Sequence, residues 1–564
     1  MKNISSDIFP VKSILIGGEN ISSFKIVISS SASDEEAQAS QILSKYVKLA
    51  SGAELDILTD SEHADYEIVI GNTSRENERA AIRRGNLKND GISVFFEKPS
   101  KLFIIGCGKY GIIHAVYHLL ETIGWRFYDE ENERILPCDK ISIPDDFDYS
   151  YSPPLMYRKT DWQLSVDQQH KLGLNGELSI ENSIVGFAHT IGRLSETGDR
   201  GQPCLSDEKI YQTVLKNVRK TIEDHPGCRV ISVTQNDNFD YCRCPKCTEL
   251  AERENQSGVF ISFVNRLAAE IEKEHPEVYL LTFAYQYTRK APTTIRPAKN
   301  VIIWLCSIEC CFSHSLDNPD CSENAAFAKD IREWAQIADN LYIWDYVTNY
   351  RHYITPFPNF KTLLPNARFF TEHNAIGIYE EGDYQQKENG EFRSLRAYLI
   401  GKILWDPYMS EEEYYSLMDD FLEGYYGSGW KYVREYIDRT CERASDKFLG
   451  IYVSPQTPFS DATGNIDIDF CTEMYSLWQK AYDVAENDKL KYNCRRSMVQ
   501  MKFIMLIARS IKNGCIYPEE NRALALEMKD IGIIYHRESW TMARGTTESL
   551  DEKALTELAP HQWE

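Results

Sequence analysis

Short apolar runs of β-forming residues recur between helical stretches from residue 155 to residue 404, and this repetition constrains the fold more than any other feature. The runs are Leu155 to Asp161, Leu174 to Glu181, Arg229 to Asp237, Tyr279 to Tyr287, Val301 to Glu309, Leu341 to Tyr346 and Ala375 to Glu381. Amphipathic stretches near 208–223, 260–274 and 327–338 lie between them, and one near 392–404 follows the last. Strands that are apolar almost throughout belong in a parallel sheet covered by helices on its outer face. With a poorly marked third unit between His189 and Glu208, eight units over about 260 residues predict a central (β/α)8 TIM-like barrel across 149–409.

Residues 1–148 read as a separate α/β accessory domain. Phe24 to Ile28 and Tyr66 to Gly71 are strands, and Ser33 opens a helix with Glu35 and Glu36 in its first turn. Ile92 to Phe96 and Leu102 to Ile105, parted by Glu97-Lys98-Pro99-Ser100, form a hairpin signal, and a helix follows from about Gly111 to Thr122. Gly106-Cys107-Gly108-Lys109-Tyr110-Gly111 matches the GxGxxG pattern of dinucleotide sites, but the strand before it is the second arm of a hairpin. Tight strand-to-helix packing is the preferred reading of its glycines. Pro144 to Pro154 reads as a linker. From Ser410 onward strand signals vanish, and 410–564 is expected to be helical.

A parallel barrel gathers the C-terminal ends of its strands on one face, where chemistry is done. Those ends offer Arg158, Glu181, His189, Asn236, Asp237, Tyr285, Glu309, Asp345, Glu380 and Glu381. An excess of carboxylates is what glycoside hydrolysis requires: one protonated to release the leaving oxygen, one ionised as base or nucleophile. Any single strand-end carboxylate can equally cap a helix or pair with an arginine. Glu380 and Glu381 are adjacent, so only one of them enters a site on the inner face. The same alternation sends either Asp345 or its neighbours Trp344 and Tyr346 inward. Glu309 and Glu380 are the first candidates for acid and for nucleophile or base, with Asp237 and Asp345 as alternates. Arg158, His189, Asn236, Tyr285 and Trp344 are expected to orient the sugar, Arg158 by pairing with a carboxylate group on it.

A net charge of −23 disfavours nucleic acid and anionic lipid as partners, and no stretch reaches the 18 apolar residues of a spanning helix. Aromatic residues make up 12%, enough for stacking platforms as well as cores. Fifteen scattered cysteines and an N-terminus without an apolar signal core point to a reducing, cytoplasmic setting, with export open to a chain that has lost its leader. Cys242, Cys244 and Cys247 have CxCxxC spacing; they either pin a loop as free thiols or supply three ligands to a structural zinc, with the fourth among Cys204, Cys228, Cys306, Cys310 and Cys311. No cofactor is expected for catalysis. The oligomeric state stays open.

ISVTQNDNFDYCRCPKC, FVNRLAAEIEKEHPEVYLLTFAYQYT, NVIIWLCSIECCFSHSL, NLYIWDYVTNY, LRAYLIGKILWDP and FLEGYYG together resemble a bacterial family of glycoside-hydrolase-like barrels known as a domain of unknown function. GKYGIIHAVYHLLETIGWRFY resembles the non-catalytic α/β domain that precedes the barrel in α-glucuronidases and β-N-acetylhexosaminidases. The resemblance implies accessory domain, TIM barrel and helical C-terminal part, and carbohydrate substrates. By position its motif carboxylates are Asp237, Glu309, Asp345 and Glu380. The expectation is a glycosidase cleaving an acidic or decorated oligosaccharide; the alternative is a non-catalytic carbohydrate-binding protein on the same barrel.

Overall fold

The computed structural model describes residues 9–515, 517–538, 540 and 541, so the far ends of the two outer regions lie outside the described residues. The chain divides into two compact units: one of residues 1–156 with 165–174, the other of 157–164 with 175–564.

In the first unit a six-stranded mixed sheet runs in the order Asp148–Tyr151, Ile92–Glu97, Lys101–Gly106, Glu67–Ile70, Lys25–Ile28, Ile57–Thr59. The hairpin read from the sequence is its antiparallel pair Ile92–Glu97 and Lys101–Gly106. The Asp34–Ser51 helix starts in a capping box: the Ser33 hydroxyl accepts from the Glu36 N–H, and the Glu36 carboxylate accepts from the Ser33 N–H at 2.9 Å. The predicted 111–122 helix is Gly111–Thr122. Its glycine motif does packing work, because a Cβ on Gly106 would lie 2.1 Å from the Ile112 nitrogen, and Gly108 sits at φ +68°. The expected linker holds the edge strand Asp148–Tyr151, paired antiparallel to Ile92–Glu97, so the unit extends past 148.

The second unit is built on one curled, wholly parallel sheet of seven strands: Tyr157–Thr160, Ala375–Glu381, Leu341–Tyr346, Val301–Cys306, Tyr279–Ala284, Val230–Ser232 and Ile184–Val185, in that spatial order. Three differences from the predicted eight-unit barrel stand out. Leu174 to Glu181 is not a strand; Glu177 takes φ +62°, and the strand that follows is the two-residue Ile184–Val185. The stretch between His189 and Glu208 carries the short helix Ile191–Leu194 in place of an eighth strand. No ladder joins Tyr157–Thr160 to Ile184–Val185. Instead the N–H groups of Asn175 and Gly176 donate to the Arg158 carbonyl at 3.1 and 3.0 Å, which satisfies that edge with irregular chain.

The strands Val301–Cys306 and Leu341–Tyr346 are buried at every residue, as strands covered on both faces must be. The 260–274 helical signal belongs to a longer element, Pro245–Glu274, interrupted at Asn255 (φ +62°), whose side-chain amide donates to the Ala291 carbonyl. Beyond the sheet the chain is helical as predicted through Pro518–Asp530, with Trp478 fully buried among Phe392, Tyr426 and Tyr436. The described residues beyond it include a short hairpin, Tyr535–Arg537 with Trp540–Thr541, that the sequence did not signal. Among the described residues, no helix is long and apolar enough to cross a membrane.

Candidate active site

The inner face of the curled sheet can be read from its rings. Phe187 lies 5.3 Å from Trp304 and 5.4 Å from both Trp344 and Tyr379, and Trp304 and Trp344 approach to 4.7 Å. Phe283 lies 5.7 Å from Trp344, so four strands and one loop place aromatic rings in a single interior layer. Side chains alternate with period two, so the next inward positions toward the strand ends are Tyr285, Cys306, Tyr346 and Glu381.

Those four residues line an open pocket whose empty space, mouth included, is about 540 Å³, together with His189, Asp237, Phe283, Trp344, Tyr350 and Glu538. Ile308, Ile451 and Tyr452 complete it. Three carboxyl groups, from Asp237, Glu381 and Glu538, face this space, and among the described residues its lining includes no Lys or Arg. Glu381 is buried, and the Trp344 indole N–H donates to its Oε2 at 2.7 Å. Burial, reinforced by the negative charges of Glu538 and Asp161, pushes its carboxyl from 4.5 up to about 8. It therefore carries a proton at neutral pH.

Asp237 is exposed and accepts a hydrogen bond from the Tyr285 hydroxyl at 3.0 Å. Glu538 is held from two sides: its N–H donates to the Tyr350 carbonyl at 3.0 Å, and its Oε1 accepts from the Tyr384 hydroxyl at 3.0 Å. His189 Nδ1 lies 2.8 Å from the Gln235 carbonyl, which can only accept, so Nδ1 carries the hydrogen.

The sequence-derived candidates divide as follows. Asp237, His189, Tyr285 and Trp344 line the cavity. Glu380 does not; it alternates with Glu381 and shares the opposite face with Asp345, its register partner on the next strand. The two are buried at 2% and 3% exposure. Burial and then the Asp345 charge raise the Glu380 carboxyl well above its ordinary value, and burial brings Asp345 to about 6 despite a hydrogen bond from the Ser307 hydroxyl. Of the two options left by the alternation around Asp345, the aromatic residues are the ones inside. Glu309 is exposed and ion-paired to Arg289 at 3.1 Å, outside the cavity lining. Arg158 is fully buried on the outward parity, with its guanidinium 5.3 Å from the Trp405 ring centroid, so it is no contact for a substrate carboxylate in this cavity. Asn236 is buried as a staple: its Oδ1 accepts from the Gly192 N–H at 3.1 Å and its amide donates to the Gly201 carbonyl at 2.8 Å.

Sequence reasoning weighed Glu381 but ranked its neighbour above it, and it missed Tyr350, Tyr452 and Glu538 altogether. The last two come from the C-terminal region, where a loop and a two-stranded turn offer no periodic signal.

Residues 187–438 match the model of a family described as a domain of unknown function, DUF4838. The matched stretch holds every cavity residue from His189 to Glu381, whereas Ile451, Tyr452 and Glu538 lie beyond it. No curated protein matches the chain. Among solved structures, a GH115 4-O-methyl-α-glucuronidase with specificity for decorated arabinogalactans aligns over 96% of this chain and 79% of its own, with 10% identity and a TM-score of 0.56. A GH138 enzyme targeting pectin rhamnogalacturonan II aligns over 95% and 79%, with 11% identity and a TM-score of 0.44. A family 89 glycoside hydrolase from Clostridium perfringens aligns over 89% and 66%, with 10% identity and a TM-score of 0.45. The likeness to the GH115 structure establishes a shared fold.

Proposed function

We propose that the chain is a glycoside hydrolase in which Glu381 is the general acid and Asp237 the base or nucleophile. The observation that carries the reading is Glu381 itself: a carboxyl at an inward strand end, kept protonated near pH 7 by burial, in a cavity that also holds a solvated carboxylate. The Trp344 N–H fixes Oε2 of Glu381, and the proton that the carboxyl holds is the one given to a leaving oxygen. Glu538 adds negative charge that keeps the proton on Glu381 until it is transferred. Tyr285, Tyr346, Tyr350 and Tyr452 offer ring faces to the C–H face of a pyranose and hydroxyls to its polar rim. The closed TIM barrel of the sequence-based expectation is here a curled seven-strand sheet that serves the same purpose, gathering strand ends at one mouth.

The substrate class narrows as well. With Glu381 protonated, the carboxyl groups of Asp237 and Glu538, with no lining cation among the described residues, would repel a uronate placed beside Glu381, so the sugar bound there is neutral, and any acidic decoration of the oligosaccharide lies outside this cavity. A screen of neutral and uronate-bearing oligosaccharides with sugar-release detection tests both statements. The wild type should release a neutral sugar and the Glu381→Gln variant should not. Equal release by both would remove Glu381 as acid. Binding of oligosaccharides without release by either would favour the non-catalytic carbohydrate-binding alternative.

A further inference from the structure

We propose that Cys204, Cys242, Cys244 and Cys247 bind one structural zinc ion that fastens the Asp237 loop to the loop preceding it. The sequence supplies three of these thiols at CxCxxC spacing and leaves the fourth ambiguous among five cysteines. The fold selects Cys204: all four sulfurs lie within 4.8 Å of one another. A tetrahedral zinc with Zn–S bonds of about 2.3 Å sets its sulfurs about 3.8 Å apart. Cys204 and Cys244 stand 3.7 Å apart, near that spacing and far beyond the roughly 2.05 Å of a disulfide. None of the four is bridged.

The local chain is suited to hold the ion. Cys244 is the N-cap residue of the Pro245–Glu274 element, and its sulfur faces the Cys247 N–H and the other three thiols. Pro245 at the first helical position fixes the turn, and Cys247 follows one turn in, 2% exposed. Four thiolates on a divalent ion leave a net charge of about −2, which the positive helix N-terminus and the exposed Arg243 and Lys246 offset.

The two loops joined in this way already share a hydrogen-bond seam. The Gln202 side-chain amide donates to the carbonyls of Asn236 and Asn238 at 2.8 and 3.0 Å, and its N–H donates to the Asp240 carbonyl at 3.0 Å. Asp237 is inside that seam, so a zinc on Cys242, Cys244 and Cys247 fixes the loop that carries the cavity carboxylate. The inference does not depend on the glycosidase reading, because it concerns the loops and not the reaction.

Metal analysis of the full-length chain purified without chelator should find one zinc per chain. Cys204→Ser and Cys242→Ser should each lose it. Because these variants risk misfolding, the wild type provides a second measurement: replacement of its zinc by Co2+ should give the intense near-ultraviolet sulfur-to-cobalt charge-transfer band and the visible bands of a tetrahedral tetrathiolate site. In the native metal-loaded protein these four thiols should resist alkylation and become reactive after chelation. Zinc below about one-tenth per chain with no cobalt bands on adding Co2+ to reduced protein would overturn the proposal. So would zinc content unchanged in Cys204→Ser, which would move the ion elsewhere, or a mapped disulfide between any two of the four.

Discussion

Glu381→Gln tests the protonation of the site without any knowledge of the substrate. The folded carboxyl holds its proton up to about pH 8, whereas an ordinary value near 4.5 applies once the chain unfolds. Below pH 4.5 both states are protonated, and this group gives stability no pH dependence. Between 4.5 and 8 the unfolded chain releases the proton and the folded chain keeps it, so stability falls as pH rises, by about 1.4 kcal/mol per pH unit for one proton. The loss accumulates to on the order of 5 kcal/mol by pH 8 and then levels off, because the folded protein ionises too. Glutamine has no proton to lose and can still accept from the Trp344 indole, so the variant lacks this one slope. The other buried carboxyl groups, among them Asp383 and Glu391, both raised to about 7 by burial, titrate in both proteins and cancel in the comparison. Urea denaturation of wild type and variant at half-unit steps from pH 5 to 8.5 is the assay. The variant should gain on the wild type steadily through that range, toward the slope of a single proton. A difference that stays constant with pH would refute the claim that Glu381 is held protonated, and with it the acid role.

Four further outcomes follow from the same placements. Asp237→Asn should lower kcat/KM on the true substrate by about a thousandfold with unchanged stability, read by sugar release. Glu309→Gln, which removes an exposed carboxylate paired with Arg289 outside the cavity, should stay within about twofold of wild-type turnover. Glu380→Gln replaces a carboxyl whose Oε2 has no hydrogen-bond partner among the described residues beside the Asp345 charge; it should raise stability by at least about 1 kcal/mol at pH 8 in chemical denaturation, with turnover retained. Gly106→Ala would force a Cβ to 2.1 Å from the Ile112 nitrogen and should destabilise by about 2 kcal/mol or more, seen as a lower midpoint in thermal unfolding.

Which of these features the sequence could disclose depended on whether the signal was local. The Ser33–Glu36 capping box, the hairpin around Lys98-Pro99 and the long apolar strands are each written within a few residues, and the structure contains them. The Ile184–Val185 strand is two residues long and has no period to detect, so the count of sheet units failed at that edge. Glu538 reaches the cavity through a turn that owes its place to backbone contacts with Tyr350 and Tyr353, far away in sequence. The choice between Glu380 and Glu381 failed for a different reason. A strand covered on both faces is apolar on both, so the alternation that would assign each glutamate to a face is erased where the site lies.

One residue in that strand does carry the missing parity. Gly377 pairs in register with Tyr157 on one side and Tyr342 on the other, and the two rings stack 5.3 Å apart across it. A Cβ at Gly377 would lie 2.8 Å from the Tyr342 ring, so a lone glycine in an otherwise apolar strand marks the crowded inner face. Steps of two from Gly377 land on Tyr379 and then on Glu381, leaving Glu380 outside. The glycine between aromatic neighbours thus identifies the inward carboxyl on steric grounds, independently of its acidity. Gly377→Val should disrupt the tyrosine stack and destabilise the sheet, read as a lower midpoint in thermal unfolding.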